Sequence, residues 1–72
     1  MTYIPRPAGM ETRPMGLVKD TDSARRAEIR YGVSLVGYTV CWNEKMRVYV
    51  WDSGLRLWHG PYTLNDGDLQ TF

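Results

Sequence analysis

The side chains best suited to specific recognition are arginine, tyrosine and tryptophan residues clustered between positions 47 and 58. Each of these types joins a large apolar area to a polar or charged group, and together they dominate protein interfaces. On a sheet, the same types also stack on bases and contact phosphates. We therefore predict a partner-binding set consisting of Arg47, Tyr49, Trp51, Arg56 and Trp58. The alternative is that the chain's own N-terminal arm covers these residues.

Residues typical of catalysis or of metal binding are sparse. One histidine, His59, and one cysteine, Cys41, cannot form a structural zinc site or an internal disulfide within one chain. His59 has no nucleophile at a diagnostic spacing, and residues 65–68 lack the spaced carboxylates and closing glutamate of an EF-hand loop. We expect a structural His59, a buried Cys41 thiol, no metal, no cofactor and no enzymatic activity.

The charge and hydropathy of the chain restrict its partners and its compartment. A net charge of +1 does not favour strong nonspecific binding to nucleic acid or to anionic membranes. The sequence contains no apolar run of about 18 residues, and its N-terminus lacks the apolar core of a signal peptide. With a single cysteine, these features predict a soluble protein in the cytoplasm of the producing cell or of a host cell.

The elements that position the recognition cluster are three strands within residues 35–58. Residues 46–51 alternate apolar side chains with Arg47, Tyr49 and Trp51, which is typical of a half-buried strand. Turn signals at 43–45 and 52–54 separate this strand from its neighbours, and a third strand is expected over 55–60, ending at Gly60 and Pro61.

Loop parity divides these strands into two faces, because directly opposed residues share a face. An even loop at 52–55 pairs Trp51 with Arg56 and Tyr49 with Trp58. An odd loop in the first hairpin leaves Cys41 beside Tyr49. The predicted core face contains Val36, Tyr38, Val40, Trp42, Met46, Val48, Val50, Leu55 and Leu57.

Residues 21–35 carry two conflicting patterns. Cap candidates at 20–23, helix formers after them and Gly32 favour a helix over 21–31. Unbroken alternation of apolar and polar residues from 27 to 35 favours a strand. We give the alternation more weight, and predict a turn or helical start near 21–26 followed by a bent strand from 27 to 42 with a bulge at Gly37. Two strands joined by a turn at 32–34 are the alternative.

The N-terminal residues 1–16 contain three prolines, so neither a helix nor a central strand is expected there. We predict an extended arm over 1–16 and a single small domain over 17–72, with a turn at 65–67 and an edge strand near 68–71. The predicted fold is mostly β (small α+β if 21–31 is helical). It is a bent three- to four-stranded antiparallel meander with an extended N-terminal arm.

A chain of 72 residues has a thin core, and such domains often need a disulfide, a metal or a partner chain for stability. Together with the recognition cluster, this predicts a non-enzymatic protein-binding module, either a homodimer or a module docking on a larger protein. An inhibitor or accessory factor, for example from a phage or mobile element, fits that description. The alternative is single-stranded nucleic-acid binding through the same residues.

Overall fold

A six-stranded antiparallel sheet with one helix on one side forms the fold in the computed structural model, which describes residues 2–7, 9–11 and 13–72. Its spatial order is β1-β5-β4-β3-β2-β6. The strands are β1 (Thr2–Ile4), β2 (Gly16–Val18), β3 (Thr39–Trp42), β4 (Arg47–Asp52), β5 (Leu57–Thr63) and β6 (Leu69–Thr71); helix α1 is Asp22–Tyr31, and a short 3-10 helix is Asp66–Asp68. The predicted mostly β, antiparallel class is confirmed, with more strands than the three or four expected.

The β3–β4 hairpin has the predicted parity. Val40 pairs with Val50, and Cys41 pairs with Tyr49. Val40, Val48 and Val50 point towards α1 and are fully buried, whereas Cys41 and Tyr49 lie on the opposite face. The odd loop in this hairpin is therefore confirmed.

The β4–β5 hairpin keeps the predicted parity but has a different register. Trp51 pairs with Trp58 and Asp52 pairs with Leu57, so the prediction that Trp51 pairs with Arg56 is wrong. The reason is that the turn includes Arg56, which has φ 56°, and is closed by the Leu55 N–H donating to Asp52 Oδ1 at 3.0 Å. Trp51 and Trp58 still share a face, because the register differs by two residues.

Strand β5 does not end at Gly60 and Pro61 as predicted, but continues to Thr63. The register of the β4–β5 ladder shifts between Val48 and Val50, so that Gly60 and Pro61 together lie opposite Tyr49. This is a β-bulge, which leaves one residue unpaired and so tolerates a proline that cannot donate a hydrogen bond.

The prediction of a strand over residues 27–35 is wrong, because α1 extends to Tyr31. The Thr21 side chain caps the helix by accepting from the Ala24 N–H at 3.0 Å. Gly32 ends it with φ 72°, a left-handed conformation that glycine adopts readily. Ile29 is 83% exposed, so the apolar alternation that suggested a strand does not correspond to one buried face.

The bent strand over 27–42 and the two-strand alternative are also wrong, because residues 32–38 form an irregular loop before β3. The Glu28 carboxylate fixes this loop by accepting from the N–H groups of Leu35 (2.7 Å) and Val36 (2.9 Å). Leu35 is thereby placed in the core, fully buried beneath the helix.

The core lies between α1 and one face of the sheet. Val40, Trp42, Val48 and Val50 lie on this face as predicted. Tyr38 and Leu55 were also predicted to be core, but they are 47% and 60% exposed because they lie in a loop and a turn beyond the helix. The buried cluster is Val18, Ala24, Ala27, Leu35, Val40, Val48, Val50, Tyr62 and Leu64.

The N-terminal residues contribute two strands, which lie near opposite edges of the sheet. β1 is an edge strand beside β5, whereas β2 lies between β3 and β6, so β5, β4 and β3 separate the two strands that the connection joins; its described residues are 5–7, 9–11 and 13–15. Because α1 covers the other face, and because Pro7, Cys41 and Trp58 are fully buried, we infer that the connection crosses the face opposite the helix. Residues 1, 8 and 12 of the predicted arm lie outside the described residues, and the division at residue 16 stays a prediction.

Asp68 links the start of α1 to the segment before β6. Its carboxylate is only 3% exposed and accepts from the Thr21 hydroxyl and from the Asn65 N–H at 3.2 Å. Burial raises the pKa of Asp68, but hydrogen bonds from Thr21, Ser23 and Asn65 outweigh it. These hydrogen bonds, with a smaller contribution from the charge of Arg26, hold the pKa of Asp68 below its ordinary value.

This lowered pKa predicts a loss of stability in acid. A carboxyl whose pKa is lower in the folded than in the unfolded chain stabilises the fold above its unfolded pKa of about 3.9, and this contribution disappears as the pH falls through the folded pKa. We expect the urea midpoint to fall between about pH 5 and pH 2 and Asp68→Asn to flatten this fall. If the urea midpoint of Asp68→Asn fell with pH as steeply as that of the wild type, Asp68 would not be the source of the acid sensitivity.

Candidate functional site

The predicted recognition residues occupy the sheet face opposite α1 and the turn beside it. We call Arg47, Tyr49, Trp51 and Trp58, together with Arg56 of the β4–β5 turn, the aromatic face. Trp51 and Trp58 are cross-strand partners with ring centroids 5.0 Å apart and an interplanar angle of 57°. Arg47 and Tyr49 follow on the same side of β4, since residues two apart in a strand share a face.

The five residues differ in their access to solvent. Trp58 is 1% exposed and lies beneath its neighbours, so it supports the surface without reaching it. Tyr49 and Trp51 are half-buried, and Arg47 and Arg56 are exposed. The surface that a partner meets therefore consists of two aromatic rings with an arginine at each end of β4. The prediction that all five residues bind a partner stays a prediction.

The connection that crosses this face adds charge to it. Arg6 and Arg13 are exposed, and Arg13 lies 3.7 Å from the carboxylate of Glu11. With Arg47, Arg56 and the pair Glu44 and Lys45, which line a groove with Gly9 of the connection, this side of the molecule carries five basic residues and two carboxylates, a net charge of +3, whereas the whole chain carries +1. The rest of the chain therefore carries −2, and the positive charge is concentrated on the side of the aromatic face.

A second concave region lies where the loop before β3 meets the end of β4 and the β4–β5 turn. It is a groove of about 390 Å³, which we call the Asp52 groove. Asp52 is the only charged residue among those lining it, and within the described part of the chain it forms no ion pair. The lining residues are Gly37, Tyr38, Thr39, Trp51, Asp52, Ser53 and His59.

His59 forms one wall of the Asp52 groove and is held by two tyrosines. Its Nδ1 lies 2.6 Å from the Tyr62 hydroxyl, and its ring centroid is 5.2 Å from that of Tyr3. Burial lowers the pKa of His59, and the charge of Asp52 opposes this only in part. The imidazole is therefore neutral near pH 7, and these contacts hold the ring in place; the structural role of His59 stays a prediction.

The remaining reactive group is Cys41, which is fully buried as predicted. Burial raises the pKa of its thiol to about 11, so the nucleophilic thiolate is scarce near neutral pH. Among residues 2–7, 9–11 and 13–72, no group of three or more His, Cys, Asp or Glu residues is arranged to hold a metal ion.

Sequence reasoning found the aromatic face but missed the Asp52 groove. The reason is that His59 and Tyr62 are three residues apart, which places side chains on opposite faces of a regular strand. The bulge at Gly60 and Pro61 brings both onto the helix side, and the only sequence signal for it was the Gly-Pro pair itself, which was interpreted as the strand end.

Comparisons with known proteins give no family for this chain: no family model, no curated protein and no solved structure matches it. In the described part of the chain, α1 and the other helical segments are too short or too polar to cross a membrane.

Proposed function

We propose that the protein is a non-enzymatic protein-binding module that docks through its aromatic face on an acidic surface of a larger protein, as an inhibitor or accessory factor. The observation that carries this proposal is the pair of half-buried rings, Tyr49 and Trp51, between the exposed Arg47 and Arg56. Aromatic rings that keep part of their apolar area in solvent beside guanidinium groups form the chemistry of interface hot spots. The buried Trp58 packs against Trp51 and holds its ring in place, which reduces the conformational entropy that the Trp51 side chain loses when a partner binds.

The charge distribution supports a different protein as the partner over a second copy. In a two-fold dimer, the same patch meets itself, so this side of the molecule would bring +3 against +3. Like charges that meet at an interface suppress association, whereas an acidic partner gains both encounter rate and affinity from the same arginines. Of the two predicted modes, homodimer and docking on a larger protein, we therefore favour docking.

Single-stranded nucleic acid is the second candidate, and the same +3 charge beside the half-buried rings of Tyr49 and Trp51 favours it. The two candidates differ in their response to salt. Binding led by phosphate contacts weakens steeply as salt rises, whereas an interface dominated by buried aromatic area changes little. A cytoplasmic location and a phage or mobile-element origin stay predictions.

Affinity capture from a lysate of the source cells, followed by titration of the purified partner, tests the proposal. We expect Trp51→Ala to weaken partner binding by at least about 30-fold, because truncation of a hot-spot tryptophan costs about 2 kcal/mol or more. Ile29→Ala on α1 is the matched control, because it removes a large apolar side chain that is 83% exposed on the other side of the molecule. Equal loss in both variants would refute the aromatic face as the site, and partner loss on nuclease treatment would select the nucleic-acid candidate.

A further inference from the structure

We infer that the Asp52 groove binds an organic cation, an ammonium or guanidinium group carried by a small molecule or by a protein side chain. This inference does not depend on the function proposed for the aromatic face. It comes from the groove itself, in which the carboxylate of Asp52 shares the lining with Tyr38 and His59.

The carboxylate of Asp52 is positioned to accept a cation. Its Oδ1 accepts from the Leu55 N–H at 3.0 Å, which fixes the side chain on the β4–β5 turn. Only one bond to this carboxylate is present among the described residues, and an ionised carboxylate has about four lone-pair sites, so its remaining acceptor capacity faces solvent and the groove. Hydrogen bonds from a positively charged donor are the strongest that such a carboxylate accepts.

The aromatic walls complement the same ligand. Tyr38 lines the groove, is 47% exposed and lies outside the core cluster, so its ring is accessible to a ligand. A cation within about 6 Å of an aromatic ring is attracted by the negative face of the ring. Tyr3, which is 51% exposed, packs against His59 and extends the aromatic surface beyond the groove.

The charge of the lining excludes other ligand classes. His59 is neutral near pH 7, so Asp52 supplies the only formal charge of the groove, −1. An anion would be repelled. A divalent metal would find one carboxylate and one imidazole whose Nδ1 already contacts Tyr62, which is too few ligands for a protein metal site. An organic cation needs one carboxylate and ring faces, and the groove provides both.

Titration monitored by ¹H–¹⁵N NMR tests the inference on the full chain with matched probes. The cationic probes are Nα-acetyl-lysine N-methylamide and choline, and their neutral counterparts are Nα-acetyl-norleucine N-methylamide and 3,3-dimethyl-1-butanol. We expect both cations to give saturable shifts of the amides of residues 37–39, 51–53 and 59, and the neutral probes to give none. Tighter binding of the lysine derivative assigns the site to a protein side chain, and tighter binding of choline assigns it to a small quaternary ammonium compound; both orders support a cation site.

Two variants locate the binding. Asp52→Asn keeps an oxygen that accepts from Leu55 but removes the charge, and we expect it to weaken cation binding about fivefold, as for a partly exposed ion pair. Tyr38→Leu removes the ring at a largely exposed position and is expected to weaken it about threefold. Asp66→Asn, which removes an exposed carboxylate remote from the groove in the chain, controls for net charge. Equal shifts with the neutral probes, or an Asp52→Asn variant that binds like the wild type, would overturn the inference.

Discussion

Trp58→Ala is expected to unfold the protein at room temperature. Trp58 is the largest fully buried side chain among the described residues, pairs across β5 with both Ile4 and Trp51, and packs at a tilt against the Trp51 ring with the centroids 5.0 Å apart. Truncation of a buried tryptophan to alanine costs about 3–5 kcal/mol, and a core of this size supplies about the same amount in total. Loss of amide dispersion in the NMR spectrum and of the near-ultraviolet circular dichroism signal would show it.

Two further variants make this expectation specific. Trp58→Phe keeps an aromatic ring in the same place and should remain folded with a lower urea midpoint, because cores tolerate apolar replacements that keep most of the volume. Ile29→Ala should change the unfolding free energy by no more than about 0.5 kcal/mol, since its side chain is in solvent. A folded Trp58→Ala variant with wild-type stability would show that the connection over the aromatic face collapses into the cavity. Trp58 is accordingly unsuitable as a binding variant, whereas Trp51 is suitable.

Gly16→Ala is expected to disrupt the edge of the sheet formed by β2 and β6. A Cβ atom at residue 16 would lie 2.0 Å from the carbonyl oxygen of Gln70 and 3.0 Å from the Trp42 ring. The first distance is to backbone, which cannot move without breaking the ladder in which Gly16 pairs with Thr71. We expect a cost of about 3 kcal/mol or more, at the upper end of the range for overpacking, and rapid hydrogen exchange of the β6 amides.

The matched control is Gly67→Ala. No atom lies within 4 Å of a Cβ built on Gly67, and its backbone does not adopt the left-handed region. Its unfolding free energy should stay within about 0.5 kcal/mol of the wild type. A Gly16→Ala variant as stable as this control would mean that β6 shifts away from β2 without loss of packing.

The hairpins were predictable from sequence because their apolar residues alternate over long runs. Val40, Trp42, Val48 and Val50 determined which side of β3 and β4 is buried, and the structure agrees. The same rule failed over residues 27–35, where the local cap at Thr21 and the glycine at 32 outweighed an alternation that included the exposed Ile29. Capping hydrogen bonds are local, so they would have been the better guide at this position.

The candidate sites were less predictable, because they depend on contacts between distant parts of the chain. Parity identified the ring cluster but could not show that Trp58 is covered, since burial on that face depends on the position of the described residues between β1 and β2, among them the buried Pro7. The Asp52 groove depends on a bulge and on a loop held by Glu28, neither of which has a strong sequence pattern. Strands β1 and β2 were missed because each has only three residues, too few to show a period.

Each of the two N-terminal strands pairs with a strand from the C-terminal part of the chain, so neither part of the chain can form the sheet alone. β1 pairs with β5 and β2 pairs with β6, so that Thr2 lies opposite Gly60 and Gly16 lies opposite Thr71. Closing such long loops costs chain entropy before any contact repays it, which slows folding relative to a chain of local hairpins. During synthesis, β1 stays without its partner until β5 has left the ribosome, so β1 joins the sheet only after the hairpins have been made.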